Sequence, residues 1–212
     1  RENSAEYEYD GTLKTVSGYA EVSISSPLYQ TSDYAFNGTS FVSGIGAEDA
    51  LTTYPMEILP TDFVNNNSNF EDVSFIIQNG VLNIYPKLKA SASSVDVTCH
   101  NAEDGSATVT VTGGKPLPNG TFHYTVNGGE EQTSASPIMM SNLGRGEYEV
   151  VITDSLNGQT SVVVNINEPA DLKAEVSAQA DLCPNQTFYQ VAATVEGGNG
   201  GYNSAWGSNA AD

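Results

Sequence analysis

Asp96–Gly114 reads DVTCHNAEDGSATVTVTGG, and Ala180–Gly198 reads ADLCPNQTFYQVAATVEGG. Cys99 and Cys183 stand 84 positions apart, and in each copy the Gly-Gly pair (Gly113-Gly114, Gly197-Gly198) begins 14 positions after the Cys. Between Cys and Gly-Gly the first copy alternates strictly: Ala107, Val109 and Val111 against Thr108, Thr110 and Thr112. Side chains on a strand point to opposite faces in turn, so this is the pattern of a strand with one buried face. A self-similar period settles architecture before any single motif does, and this one implies tandem β-modules.

Outward from that stretch, residues 91–170 keep alternating. Val95 and Val97 mark a first strand, Phe122, Tyr124 and Val126 a further one, then Tyr148, Val150 and Ile152, then Val162, Val164 and Ile166. Turn signals at Asn127-Gly128-Gly129 and Asp154–Gly158 separate them. Strands at this spacing predict an Ig-like β-sandwich. Residues 171–212 begin the same module again and hold only its first strands, with Trp206 as a core residue. Residues 1–88 predict a separate β-rich module, with strands in TLKTVSGYAEVSIS, FNGTSFVSGI and TTYPMEI, a loop or short helical turn between Pro60 and Asp72, and a hairpin turned at Asn79-Gly80 in VSFIIQNGVLNIYP. Pro86 closes that module, and KLKASASS (Lys87–Ser94) reads as the connector. No stretch carries a 3.6-residue apolar stripe, so the fold class is all-β with at most a short helix.

The formal net charge is −19, from 26 acids against 7 Lys and Arg. It is spread evenly, with −8, −7 and −4 in residues 1–90, 91–170 and 171–212. That balance argues against nucleic acid, whose phosphates need a basic footprint, and against anionic lipid. No segment approaches the ~20 apolar residues of a membrane span. The chain opens at Arg1, without an initiator Met, and reads as a piece of something longer.

Catalytic chemistry finds little footing. Cys99-His100 places a thiol beside an imidazole, but neighbouring strand residues face apart. Two Cys and two His without CxxC or HxxxH spacing do not make a zinc site. The carboxylate pairs Glu48-Asp49, Glu71-Asp72, Glu103-Asp104 and Glu130-Glu131 read as solvated turns. Calcium is the one metal worth weighing: Glu103, Asp104, Asp154 and Asn157 could lend oxygens from adjacent turns, although no EF-hand spacing exists. Tyr7, Tyr9, Tyr19, Tyr29 and Tyr34 are numerous enough to suggest a carbohydrate surface, against half-buried packing of the same rings. Asp154-Ser155-Leu156 fits a loose O-glycosylation motif at Ser155. These residues predict no enzyme and no required cofactor.

Two family resemblances follow. Cys99 in VTC, Asp104-Gly105-Ser106 before ATVTVTGG, Asn142-Leu143 with Gly146-Glu147-Tyr148, Thr153-Asp154, Asn157-Gly158, and Ile166 with Glu168-Pro169 resemble the SprB repeat, a family named for a Bacteroidetes gliding-motility adhesin. Residues 171–212 resemble the start of another copy. The family often carries a second Cys directly after the Asn-Gly turn. Gln159 stands there, so the resemblance implies that Cys99 has no partner in its own module and that Cys183 would pair beyond residue 212. Residues 1–88 resemble the mostly-β-grasp (MBG) family through Tyr9-Asp10-Gly11-Thr12, Val16-Ser17-Gly18-Tyr19, Tyr54-Pro55-Met56, Asp62-Phe63, and Gly80, Leu82, Ile84 and Pro86. Both resemblances imply non-catalytic structural or adhesive modules of a large extracellular or cell-surface bacterial protein. The implied setting is the outer surface of a Bacteroidetes cell, with other modules, surface proteins or glycans as partners. The alternative is a carbohydrate-binding accessory module of an extracellular hydrolase.

Overall fold

The computed structural model describes residues 1–178 and 191–205; Cys183 and Trp206 lie outside the described residues. Strands and two 3₁₀ turns, Thr31–Asp33 and Pro60–Asp62, are the regular elements among them, as an all-β reading requires.

Residues 1–85 carry β1 (Ala5–Glu8), β2 (Lys14–Ser17), β3 (Tyr34–Phe36), β4 (Phe41–Gly44), β5 (Thr52–Pro55), β6 (Phe63–Asn65) and β7 (Val81–Tyr85). Three small sheets result: β1-β7-β5, with β1 parallel to β7, then β2-β4 and β3-β6. Leu82 and Ile84 on the central β7 are fully buried and pack with Val16, Met56 and Ile58. The Asn79-Gly80 hairpin does not form. Instead the first residues of the chain cross there. Glu2 donates its backbone N–H to the Gln78 carbonyl (2.9 Å), and its carboxylate accepts the Gly80 N–H (2.5 Å). A Cβ at Gly80 would sit 2.0 Å from the Asn3 carbonyl oxygen. This glycine therefore serves a close backbone approach, not a hairpin turn.

The second unit carries β8 (Lys89–Val95), β9 (Gly105–Thr112), β10 (Phe122–Val126), β11 (Gln132–Ser134), β12 (Ile138–Leu143), β13 (Gly146–Thr153) and β14 (Gln159–Ile166). They form a sandwich of a four-stranded sheet, β11-β10-β13-β14, on a three-stranded one, β12-β9-β8. Most of the expected inward residues are inward: Val109, Val150 and Ile152 are 0% exposed, Ala107, Val111, Phe122, Val164 and Ile166 are buried with them, and Tyr124, Val126, Tyr148 and Val162 are half-buried. The first strand is not where Val95 and Val97 place it: β8 ends at Val95, which is 64% exposed, and Val97 is buried beyond the strand. The expected connector is instead mostly strand. Lys89–Val95 pairs along its whole length with Ser106–Thr112, leaving Pro86 to Leu88 as the link. Ser and Ala have weak strand preference of their own, so this strand exists because β9 offers it a ladder.

Two further strands follow, β15 (Lys173–Ala178) and β16 (Val191–Glu196), paired only with each other among the described residues. Their register, Lys173↔Glu196 and Val176↔Ala193, is that of β8 on β9, Lys89↔Thr112 and Ala92↔Val109, moved by 84 residues. The glycine pair explains the shared geometry. Gly113 and Gly197 have φ of 70° and 80°, and a Cβ on either would lie 2.0 Å from a linker carbonyl, that of Lys87 or Asp171. Gly114 then donates to the Pro86 carbonyl at 2.8 Å, and Gly198 to the Ala170 carbonyl at 2.7 Å. Only glycine allows both the left-handed turn and the contact. Burial does not repeat: Leu88 is 3% exposed and its counterpart Leu172 is 58% exposed.

Candidate functional site

The sandwich has two ends, and the candidate residues divide between them. One end, toward residue 170, holds the bend Thr98–Asn101, Asp104 and Glu168. The Asp104 carboxylate accepts the Thr98 N–H (3.0 Å) and hydroxyl (2.5 Å). Those two bonds hold its pKa below the ordinary value. Glu168 accepts the Asn101 N–H (3.0 Å) and an Arg145 guanidinium N–H (2.9 Å), with His100 Nδ1 at 3.3 Å. The Asn101 N–H, followed by Arg145, lowers its pKa. Asn101 makes this bond from a left-handed conformation, φ 59°, which Asn tolerates better than most residues.

His100 therefore faces Glu168, not the thiol beside it. Cys99 is free and exposed, and its sulfur lies 3.8 Å from the Thr98 hydroxyl oxygen. Gln159 donates its side-chain N–H to Thr153 Oγ1 at 3.1 Å across the β13–β14 ladder.

Asp154 and Asn157 sit at the other end, in the β13–β14 turn. Asp154 is 2% exposed. One of its oxygens accepts the Lys115 N–H (2.8 Å), the other the N–H groups of Leu156 (2.9 Å) and Gly158 (2.8 Å). Asn157 takes φ 64° and donates its N–H to the Asp154 carbonyl. Asp154 lies beside Gly114, past the C-terminal end of β9, whereas Asp104 precedes its first residue. Eight strand residues separate them, roughly 26 Å at ~3.3 Å per residue. Glu103, Asp104, Asp154 and Asn157 are thus not brought together around one cation, and no group of three or more His, Cys, Asp or Glu among the described residues is placed to hold a metal. Ser155 does not present its hydroxyl: Oγ is buried without a partner in the same turn.

Four of the five tyrosines are buried or half-buried, and Tyr7 is 37% exposed. Tyr19, Tyr34, Phe36, Phe63 and Phe75 form a chain of ring contacts with centroids 5.0–5.8 Å apart. Tyr29, 8% exposed, joins it through Tyr34 and packs edge-on to Phe70. Tyr9 packs on the first core, and Tyr7 lies under the Lys14 ammonium, 5.5 Å from its ring centre. These rings stabilise one another in edge and offset geometries, and they do not form an exposed row.

Sequence reasoning missed the carboxylates with the most specific work. Glu2 is 3% exposed, and its two oxygens accept the Ile58 N–H (2.9 Å) and the Gly80 N–H. Glu6 and Glu8, both on one face of β1, reach into the second unit. Nothing local marks these three apart from other acids, because their partners lie 56 to 109 residues away.

With this geometry in view, comparison with known proteins gives one family: residues 91–131 match the SprB repeat. The match covers β9 and β10 and begins within β8. The match suggests a surface adhesin-type repeat for these residues. No curated protein matches the chain, and no solved structure does. No helix among the described residues is long and apolar enough to cross a membrane.

Proposed function

We propose that this chain is a run of structural and adhesive modules from a large bacterial cell-surface or secreted protein, serving as stalk or spacer and displaying its loops to protein or glycan partners. In this reading residues 1–88 are an MBG-like module, 91–170 a SprB-type repeat, and 171–212 the beginning of a second such repeat. The setting is the outer surface of a Bacteroidetes cell. The observation that carries the reading is the recurrence of one strand register and one Gly-Gly clamp at an 84-residue interval, on a unit whose sequence matches the SprB repeat. Serial β-modules joined by short links are suited to holding partners at a distance. The polar side chains at both ends of the sandwich favour the same role, since Asp104, Asp154 and Glu168 spend their oxygens on backbone and side-chain donors within the fold. Antibodies raised against the chain test it. Labelling of intact source cells, without permeabilisation, is expected. Labelling that appears only after the envelope is opened would overturn it.

A further inference from the structure

β1 is a short strand of one module with two carboxylates aimed at the next. Glu6 and Glu8 are two positions apart, so both side chains leave the same face. Glu8 accepts the backbone N–H of Leu88 at 2.8 Å, in the link itself. Its other oxygen lies where a Cβ on Gly158 would come within 2.5 Å, so the glycine of the β13–β14 turn admits it. Glu6 pairs with the Lys115 ammonium, which stands over the Tyr85 ring at 5.4 Å, and the Tyr85 hydroxyl donates to Glu6 at 3.2 Å. On the other side of the link Lys89 reaches back to Glu48 (3.0 Å) and Asp49 (2.7 Å), and the Lys87 N–H bonds the Glu48 carbonyl (3.0 Å). Contacts on two sides of a three-residue link resist bending and twisting together, where a single contact would leave a pivot.

The next joint has the same hairpin and lacks these groups. Asn199 stands 84 residues after Lys115, so the ammonium is gone. The carboxylates at that end of the sandwich are engaged internally: Glu168 with Asn101 and Arg145, Asp104 with Thr98, and Asp96 with the Asn167 N–H at 2.9 Å. Among the described residues Leu172 N–H and Lys173, the counterparts of Leu88 N–H and Lys89, have no side-chain partner across the joint. What persists is the Gly198–Ala170 bond, the counterpart of Gly114–Pro86.

We propose that the Glu6–Glu8 clasp fixes the first module rigidly on the end of the repeat that carries Lys115 and Gly158, through groups that the described part of the next joint does not repeat. A surface of this sort recognises a neighbouring module that offers two carboxylates at i and i+2 on an edge strand. The inference rests on the spacer reading for its purpose and on the contacts above for its content.

Residual dipolar couplings on the whole 212-residue chain, partially aligned, test it. Couplings from β5 and β7 and those from β9, β13 and β14 are expected to fit one common alignment tensor. Glu6→Gln with Glu8→Gln is expected to split the common tensor while amide shifts in both cores stay native. The reciprocal pair Glu6→Lys with Lys115→Glu is expected to retain part of the coupling. Two tensors in the unaltered chain, or a common tensor that survives the double Gln variant, would each overturn the proposal. None of these results bears on cell-surface labelling, so the two readings fail separately.

Discussion

Replacing Gly113 with Ala isolates what the Gly-Gly clamp contributes. Two costs arise. The residue has φ 70°, and an L side chain in the left-handed region costs about 1–2 kcal/mol. The new Cβ would also lie 2.0 Å from the Lys87 carbonyl oxygen, a backbone atom that cannot swing aside. Relief requires moving the link by about an ångström. That displaces the Gly114–Pro86 hydrogen bond, worth about 0.5–1.5 kcal/mol, and lifts Leu88 part-way from a site where full burial is worth about 1.5–3 kcal/mol. The total is about 3–5 kcal/mol, a large part of a typical domain stability of ~5–15 kcal/mol.

Two control variants separate the terms. Gly120 has φ 81° with nothing within 4 Å, so Gly120→Ala carries the backbone term alone, about 1 kcal/mol once the entropy lost from the unfolded chain is offset. Gly197→Ala meets the same 2.0 Å clash, against Asp171, but on a hairpin whose Leu172 is exposed. It should leave the sandwich melting unchanged. By calorimetry, at roughly 4–8 °C per kcal/mol for a domain of this size, Gly113→Ala should lower the melting of the sandwich by about 12–40 °C and Gly120→Ala by less than about 10 °C. A Gly113→Ala transition within a few degrees of that of Gly120→Ala would refute the clamp.

Asp154→Ala strands three N–H donors at a buried site and should cost the second unit about 3–5 kcal/mol in urea unfolding, with Asp154→Asn costing less because one amide oxygen can still accept two of them; near-equal unfolding of all three proteins would count against the turn's dependence on this carboxylate. Glu168 titrates below its unfolded value of 4.5, so its contribution is present above about that pH and is lost as pH falls through the depressed folded value. An acid titration of stability should show this loss, and Glu168→Gln should flatten it; an unaltered profile in the variant would sink the assignment. Because Asp104 and Asp154 stand at opposite ends of β9 with their oxygens engaged, melting should be the same in millimolar calcium and in chelator, and a calcium-dependent rise would contradict this geometry. On a glycan array the packing of Tyr9, Tyr19, Tyr29 and Tyr34, which leaves Tyr7 alone exposed among the five, predicts no ligand whose binding is abolished by a single Tyr substitution, and such a ligand would restore the carbohydrate-binding reading.

The sandwich was legible where alternation is carried by strong strand formers. β9, β13 and β14 each present valine or isoleucine on one face, and that face is buried apart from the half-buried Tyr148 and Val162 at its edge. β8 is hidden because Ala90–Ser94 is all Ala and Ser, whose identity says only that little volume is needed against β9. β12 was hidden by its bulge: the register slips between Ser141 and Leu143, with Asn142 at φ 57°, so Ile138-Met139-Met140 and Leu143 do not share one period. In the first module Asn79-Gly80 looked like a turn because a turn and a close backbone crossing ask for the same residue. Only the position of Glu2 and Asn3, 77 and more residues distant, tells them apart. The acids behave alike: charge counting saw a dispersed net charge of −19, and the fold draws Glu2, Glu6, Glu8, Asp154 and Glu168 from it for backbone and ion-pair work.

The comparison of the two hairpins goes one step further. β8–β9 has a second sheet over its inner face, and Ala107, Val109 and Val111 are buried there. β15–β16 has the same register and the same glycine clamp while Val191 is 45% exposed and Ala193 is open to solvent. The strand pairing and the link geometry therefore do not depend on the covering sheet. They follow from the ladder, from the positive φ at the two glycines, and from one N–H returned to the linker carbonyl. Burial is the separate step that turns this local frame into a stable unit, since an isolated two-stranded hairpin is marginal in water. Loss of the clamp should then be felt in proportion to what the hairpin carries: severe at Gly113, where a full core sits on it, and slight at Gly197, where the described residues bury little.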